Sequence, residues 1–494
     1  MIRAPLAWTI TRGENQLIGV SDTWINDSHE ELVGKVEIDI DVPHHPNLWH
    51  GAGVSGMAVA KTNNGYGVSS IAHETKIASI PNIGMSRVEL LAEVLLNESS
   101  GTKVINASWG SCRSTPSIYD QIAYQSLLDN NVLIVAAGGN DFCPEGTLHY
   151  PAAYDATLSV TTVGHRVAPT YYHNILNPDG TIAWHRSWKD VYRFRPDSQT
   201  NMSGHNLRAN IDVTAPGQLL VGLTVNYADY PSGYRLLTAT SPSTPIVTGL
   251  AALIIAASPN LSAQQVKDMI RDTADDIYDI PYNQPFIGLL GTGRINAYRA
   301  VLTSKCMADS NYEPNLDLMV RNSMVDYGYE PDDNTEEIFW NSQDIWIRQN
   351  SGESYIDVHQ NPEYDPVVPN YVNVRVTNRS CVTSSGNEDL KLYWSKANTA
   401  LSWPAPWDGS ITVGNNIPLG GAVGTLKIPP LDPGQEAILE FEWLIPNPAD
   451  YVGLNPNPWH FCLLARIDTP DDPMTNEGMQ VVVTENVRNN NNIG

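Results

Sequence analysis

Positive charge is scarce in this 494-residue chain: 29 Lys and Arg stand against 54 Asp and Glu, a net charge of −25. Nucleic acid and anionic membrane surfaces are repelled by such a balance, so neither is an expected partner. Apolar runs stop well short of the roughly 18 residues that a membrane helix needs, and no membrane span is expected. Cysteines number five, an odd count, and no two have the C-x-x-C spacing of zinc or redox sites. No basic segment followed by an apolar one comes after Met1, so no secretory signal is expected here. The expectation is either a protein kept inside a cell or one from which a leader and pro-segment have been removed. Its few Lys, abundant Asn, Gly, Pro and Trp, and scattered cysteines favour export, with a bacterial secreted or cell-surface protein as the expectation.

What is present is enough chain for two or three domains, each able to bury a core. From Asn15 to about Val301, short apolar strands alternate with helical patterns. Strands are expected at Gln16 to Val20, Lys76 to Ile80, Lys103 to Ser108, Val132 to Ala137, Leu158 to Val163 and Asn210 to Thr214. Helical spacing covers Gly53 to Lys61 and Tyr119 to Leu128. Continuous apolar strands separated by helices predict an α/β fold, a parallel sheet covered on both faces. Ligands gather where such strands end.

Four stretches place chemistry at such ends. Leu17 to Asp22 is an apolar strand closing on a carboxylate. Trp49-His50-Gly51-Ala52-Gly53 opens a small-residue helix with an imidazole. Val135 to Asn140 is a buried strand that ends in two glycines and an amide. In Ala239-Thr240-Ser241-Pro242-Ser243-Thr244-Pro245, a hydroxyl precedes a helix, apolar from Ile246 to Ala257, with Pro245 expected in its first turn. Each has a plain reading when taken alone: a turn-capping Asp, a solvated His, a simple turn and a helix-capping Ser. Together they supply what acyl transfer needs. A hydroxyl attacks only when a base takes its proton; an imidazole does this near neutral pH, a carboxylate fixes its tautomer, and an amide donates to the developing oxyanion.

These motifs resemble the subtilisin-like serine proteases, the subtilases of peptidase family S8. The order Asp, His, Ser is theirs. Similar surroundings include Ala7 to Gly13, Val104 to Gly110, Asp212 to Gly217 and Gly291 to Ala297, so the resemblance covers roughly residues 5 to 302. It implies that Asp22 orients His50, that His50 is general base and then acid, and that Ser241 is the nucleophile. Asn140 and the Ser241 N–H would hold the oxyanion. Ser108, Trp109 and Gly110 would pair with an extended substrate, Ala137, Gly138 and Gly139 would form the other wall of the P1 pocket, and His149 would floor it. For Trp109, a core indole remains an equal reading. Calcium is the implied structural cofactor, held by Glu31 and the loop residues Thr62, Asn64, Tyr66 and Val68; an Asn-Gly turn without an ion is the alternative. Cys112 and Cys143 would lie beyond neighbouring strands, as a bridge or as two buried thiols.

This chain departs from the family pattern at Ala239, where a Gly is usual, and at Pro242 after the nucleophile. It departs again at Gly53, where a second His is usual, and at Thr23 and Trp24, where a small residue and Gly are usual. Residues between Gly164 and about Thr200 exceed what compact members carry; the aromatic content there suits a packed hairpin or a wall of the cleft.

After Val301 polar and apolar residues alternate, as in Asp344 to Arg348, Tyr371 to Val376, Leu390 to Trp394 and His460 to Ile467. That is the pattern of an antiparallel β-sandwich, and it resembles an immunoglobulin-like accessory domain. Cys381 and Cys462 could join across it. The expected organisation is a catalytic domain over residues 1–304, a sandwich over 305–488 and a disordered tail over 489–494. The leading function is a monomeric endopeptidase cleaving extended polypeptides through an acyl-enzyme. Two alternatives are a subtilase scaffold that has become a binding module and an intracellular processing protease.

Overall fold

The computed structural model describes residues 2–25, 27–39, 49–81, 101–140, 143–164, 210–218, 220–225, 227–228, 230–278, 281–323, 326–332, 342–352, 359–398, 401–454, 457–474, 477 and 482–494. The expected aromatic insertion after Gly164 lies outside them. The chain divides into two compact units, Met1–Ala308 and Asp309–Gly494.

In the first unit the strands are β1 (Leu17–Asp22), β2 (Val36–Asp39), β3 (Lys76–Pro81), β4 (Val104–Ala107), β5 (Ser111–Arg113), β6 (Leu133–Ala137), β7 (Leu148–Tyr150), β8 (Thr157–Val163), β9 (Val213–Pro216), β10 (Leu220–Leu223) and β11 (Tyr234–Leu237). Seven of them form one parallel sheet in the order β2-β3-β1-β4-β6-β8-β9. Every residue of β6 and β8 is buried, as strands covered on both faces require. Strand β9 begins at Val213, and just before it the Asp212 carboxylate accepts the Ser159 N–H of β8 at 2.9 Å. Two small antiparallel pairs, β5 with β7 and β10 with β11, stand apart from the sheet.

The helices are α1 (Ala4–Ala7), α2 (His50–Val59), α3 (Ile118–Asp129), α4 (Thr240–Ala257), α5 (Ala263–Asp272) and α6 (Ala297–Ala308). Helix α4 packs against α2, α6 and the central strands, and Val247, Leu250, Leu253 and Ile254 are wholly buried. Burial of each such side chain is worth about 1.5–3 kcal/mol. By length and composition α4 could cross a membrane, but 83% of it is buried inside the unit, as in the core helix of a globular domain.

In the second unit β12 (Leu318–Met319), β13 (Ile345–Arg348), β14 (Asn370–Asn378), β15 (Asp389–Lys396), β16 (Thr412–Val413), β17 (Ile417–Pro418), β18 (Gly420–Lys427), β19 (Glu436–Trp443) and β20 (Phe461–Asp468) precede a last helix, α7 (Val483–Asn489). Strand β14 pairs with β12, β13 and β19; β15 pairs with β18 and β20; all are antiparallel. Side chains of both sheets, among them Val372, Val374, Leu390, Leu392 and Trp394, share one core, which makes a β-sandwich.

Two expectations for this unit are overturned. Cys462 is a free thiol, so it does not pair with Cys381. Nor is the C-terminal run a disordered tail. Asn490, Asn491, Asn492 and Ile493 are buried; Asn491 O accepts the Val320 N–H, and Asn492 Nδ2 donates to Asp472 Oδ2 at 2.7 Å. The polar run persists as structure because its amides satisfy buried carboxylates and backbone groups.

Candidate active site

Three adjacent parallel strands bring their carboxyl ends to one edge of the sheet. Ser21 of β1 is level with Ala107 of β4, and Ala107 with Ala136 of β6. Asp22, Ser108 and the Gly138-Gly139-Asn140 turn therefore emerge side by side. Asp22 is buried, and its Oδ1 accepts His50 Nδ1–H at 2.6 Å and the Thr23 N–H at 2.7 Å. Thr23 also fixes the start of α2, because its Oγ1 accepts the Gly51 N–H at 2.7 Å. Only glycine permits that approach: a Cβ on residue 51 would lie 2.3 Å from the Thr23 carbonyl oxygen.

These contacts set the electrostatics of His50. Burial alone would push the imidazolium down, but the Asp22 charge and hydrogen bond outweigh it and hold His50 above the ordinary value of 6.5. Because Asp22 accepts a hydrogen bond from Nδ1–H, the neutral ring keeps its proton there and leaves Nε2 as its acceptor.

Ser241 lies inside the first turn of α4 rather than ahead of it, and it is not the cap. Ala239 is the N-cap and has no capping side chain. Asn140 does that work from across the sheet: its Oδ1 accepts the Thr240 N–H at 2.7 Å and the Thr240 hydroxyl at 2.8 Å. An N–H can only donate, so the Asn140 orientation is settled and Nδ2 is kept as the donor. Pro245 falls beyond the first turn, where its missing N–H deprives the Ser241 carbonyl of its helical partner. The Ser108 hydroxyl supplies the bond instead, at 2.9 Å. Behind it, Asn106 Nδ2 donates to Ser108 Oγ at 2.9 Å and Thr248 Oγ1 donates to Asn106 Oδ1 at 3.1 Å. This buried relay joins α4 to the end of β4. The Ser241 hydroxyl itself donates to the Ser108 carbonyl at 3.3 Å, a resting rotamer that a turn about χ1 redirects.

The other expected residues fall into two groups. The backbones of Gly110 and Gly139 both close on buried His149: a Cβ on Gly110 would lie 2.3 Å from its Cε1, and one on Gly139 2.7 Å from its Cδ2. Trp109 is turned to the strand end, with Nε1 donating to Ser21 O at 3.0 Å and Ser21 Oγ at 3.1 Å, so its indole braces the residue before Asp22. A disulfide joins Cys112 of β5 to Cys143, beside the same loops. The β5–β7 pair that holds His149 opposite Cys112 had no signal in the apolar periodicity.

Glu31 is fully buried and, among the described residues, accepts from neutral donors, Asn64 Nδ2 at 3.2 Å and the Val68 N–H at 3.1 Å; the Tyr234 hydroxyl lies 3.2 Å away but gives its one proton to Glu30 Oε1 at 2.6 Å. Burial and the nearby Glu30 and Glu31 carboxylates push the Tyr234 phenol up. The loop is wrapped tightly, since a Cβ on Gly67 would fall 1.6 Å from Glu31 Oε1. Thr62 Oγ1 accepts the Ser70 N–H, and the Tyr66 side chain is exposed. Among the described residues no group of three or more His, Cys, Asp or Glu could hold a metal.

A buried acid bonded to an imidazole, at the edge of a parallel sheet that also receives a helix-borne serine, defines a serine hydrolase of α/β architecture. Residues 13–317 match the subtilase family, peptidase S8, and the chain belongs to it. Thermitase from Thermoactinomyces vulgaris is 28% identical over 315 residues, which cover 61% of this chain and 93% of thermitase. The halolysin-like extracellular serine protease Nep of Natrialba magadii is 27% identical over 314 residues, 60% of this chain and 49% of Nep. The chain thus spans most of thermitase and about half of Nep. The solved structure of the prenylagaramide maturation protease PagA aligns with a TM-score of 0.46 at 21% identity, covering 61% of this chain and 98% of that one. The matched region is a serine endopeptidase domain.

Proposed function

We propose that the first unit cleaves extended polypeptides with Ser241 as nucleophile, His50 as general base and then acid, and Asp22 as the group that orients it. The observation that carries this reading is the 2.6 Å bond between Asp22 and His50, at the same sheet edge that receives Ser241. His50 Nε2 takes the Ser241 proton as Oγ attacks the scissile carbonyl. Asn140 Nδ2 and the Ser241 N–H then hold the oxyanion. Expulsion of the amine, protonated by His50, leaves an acyl-enzyme, which water hydrolyses through the same groups. A substrate strand lies between Ser108–Gly110 and Ala137–Gly139. His149 sets a shallow, polar floor to the P1 pocket, which disfavours a large apolar P1 side chain; a Phe or Leu preference in a peptide library would count against that.

Calcium fits the Glu31 site, because a buried carboxylate that meets only neutral donors among the described residues lacks a compensating charge. Glu31, with oxygens of Thr62, Asn64, Tyr66 and Val68, would hold it, and the ion would supply that charge and anchor the loop. The second unit is an accessory domain and the protein works outside the cell as a monomer, in keeping with an extracellular relative. Fluorophosphonate labelling is the test of the catalytic reading: Ser241 is expected to label and Ser241→Ala to lose both labelling and casein turnover. An unlabelled native protein would overturn it.

A further inference from the structure

One cation close to the catalytic imidazole is held against aromatic rings, with no carboxylate partner among the described residues. The Arg235 guanidinium carbon on β11 lies over the Trp49 ring, 3.8 Å from its centroid, with the Tyr230 ring centroid 4.9 Å away. Trp49 immediately precedes His50, and their ring centroids are 5.7 Å apart. The guanidinium carbon is therefore no farther from the imidazole centre than those two spacings together. Arg235 Nε is buried without a hydrogen bond, and among the described residues no acid pairs with this arginine. In a chain with 54 acidic residues and 29 basic ones, an arginine with no acid among the described residues can receive one from a bound molecule.

We propose that Arg235 is a specificity-determining residue that selects substrates with an acidic side chain just after the scissile bond. This rests on the catalytic reading of Ser241 and His50. The side follows from the layout. The proposed acyl-side walls come from the ends of β4 and β6, whereas the β10–β11 hairpin packs on α2, the helix that His50 opens. His50 is also the group that protonates the departing amine, so the hairpin borders the leaving-group residues. Contact with the Trp49 ring restrains the guanidinium before any carboxylate arrives, so less side-chain entropy is lost when one does. Tyr230, with its ring centroid 4.9 Å from the guanidinium carbon, restrains it further.

The test uses the full chain and internally quenched peptides identical up to the scissile bond, with Glu, Gln or Lys at each of the first three leaving-group positions. The native protein is expected to favour Glu over Gln by roughly tenfold in kcat/KM at one of them, less at high salt. Arg235→Gln is expected to bring that ratio to about one, and Arg235→Glu to turn it in favour of Lys. Each ratio is taken within one preparation, so a reduced folded fraction cancels. Fluorophosphonate labelling is measured alongside. Labelling of the native protein with no acidic preference, or a preference that survives Arg235→Gln, overturns this inference alone. Absence of labelling overturns the catalytic assignment and this inference with it.

Discussion

At His50 two opposing effects are resolved in favour of the charged ring, and the outcome governs the pH dependence. A base is competent only when neutral. Because burial is outweighed by the Asp22 charge and hydrogen bond, neutral His50 appears only above a raised value, and the acid limb of kcat/KM is expected above the ordinary 6.5. Asp22→Asn should move that limb down and lower kcat on the order of 10⁴-fold. Stability has the opposite sense: the Asp22–His50 contribution is full below about 6.5 and fades as pH rises through the raised native value. Asn140 allows a second separation, because its two amide atoms do different things. Asn140→Asp keeps the acceptor for the Thr240 N–H and removes the donor, while Asn140→Ala removes both. Both should lower turnover by about 10² to 10³, a magnitude set by the same amide in subtilisin itself. Only the alanine variant should also lose about 1 kcal/mol of stability with the cap, read as a fall in melting temperature.

At the scale of elements, the turn that presents Ser241 depends on a repair. Pro245 withholds the N–H that the Ser241 carbonyl would receive in an ordinary helix, and Ser108 replaces it. Ser108→Ala leaves that carbonyl and Asn106 Nδ2 without partners, at a cost of about 1–3 kcal/mol. Pro245→Ala restores the N–H. Proline removal changes helix propensity on its own, so the informative quantity is the coupling in a double-mutant cycle. Pro245→Ala should help the Ser108→Ala background more than the native one by at least about 0.5 kcal/mol in urea unfolding. This bond also marks a boundary of what sequence can show. Asp22, His50, Asn140 and Ser241 are legible because each follows or opens an apolar run. The helix start at Thr240 is not, since its cap is an amide 100 residues away; Pro245 then suggests a later start. The β5–β7 and β10–β11 pairs are too short and mixed to stand out, yet they carry His149 and Arg235. The C-terminal asparagines look like a tail because their partners, Asp472 and Val320, are set only by the folded sandwich.

For the whole molecule, the net charge of −25 makes a general and a specific effect of cations separable. Self-repulsion of the excess carboxylates destabilises the compact state, and salt screens it over about 10 Å at 0.1 M. Sodium chloride should therefore raise the melting temperature gradually, with no dependence on which monovalent cation is used. A calcium ion at Glu31 acts differently. It offsets one buried charge at one loop, so its effect should saturate at low concentration and exceed that of magnesium at matched ionic strength, because the looser carbonyl and carboxylate set suits the larger ion. Glu31→Gln decides between the two effects. The amide removes the buried charge, so the variant should keep the gradual salt response and lose the calcium-specific increment. If calcium still stabilises the variant more than matched magnesium does, the ion binds elsewhere and the Glu31 loop is a plain turn. If native protein shows no increment and chelator leaves its melting temperature unchanged, the buried carboxylate is held by Asn64 and Val68 without an ion.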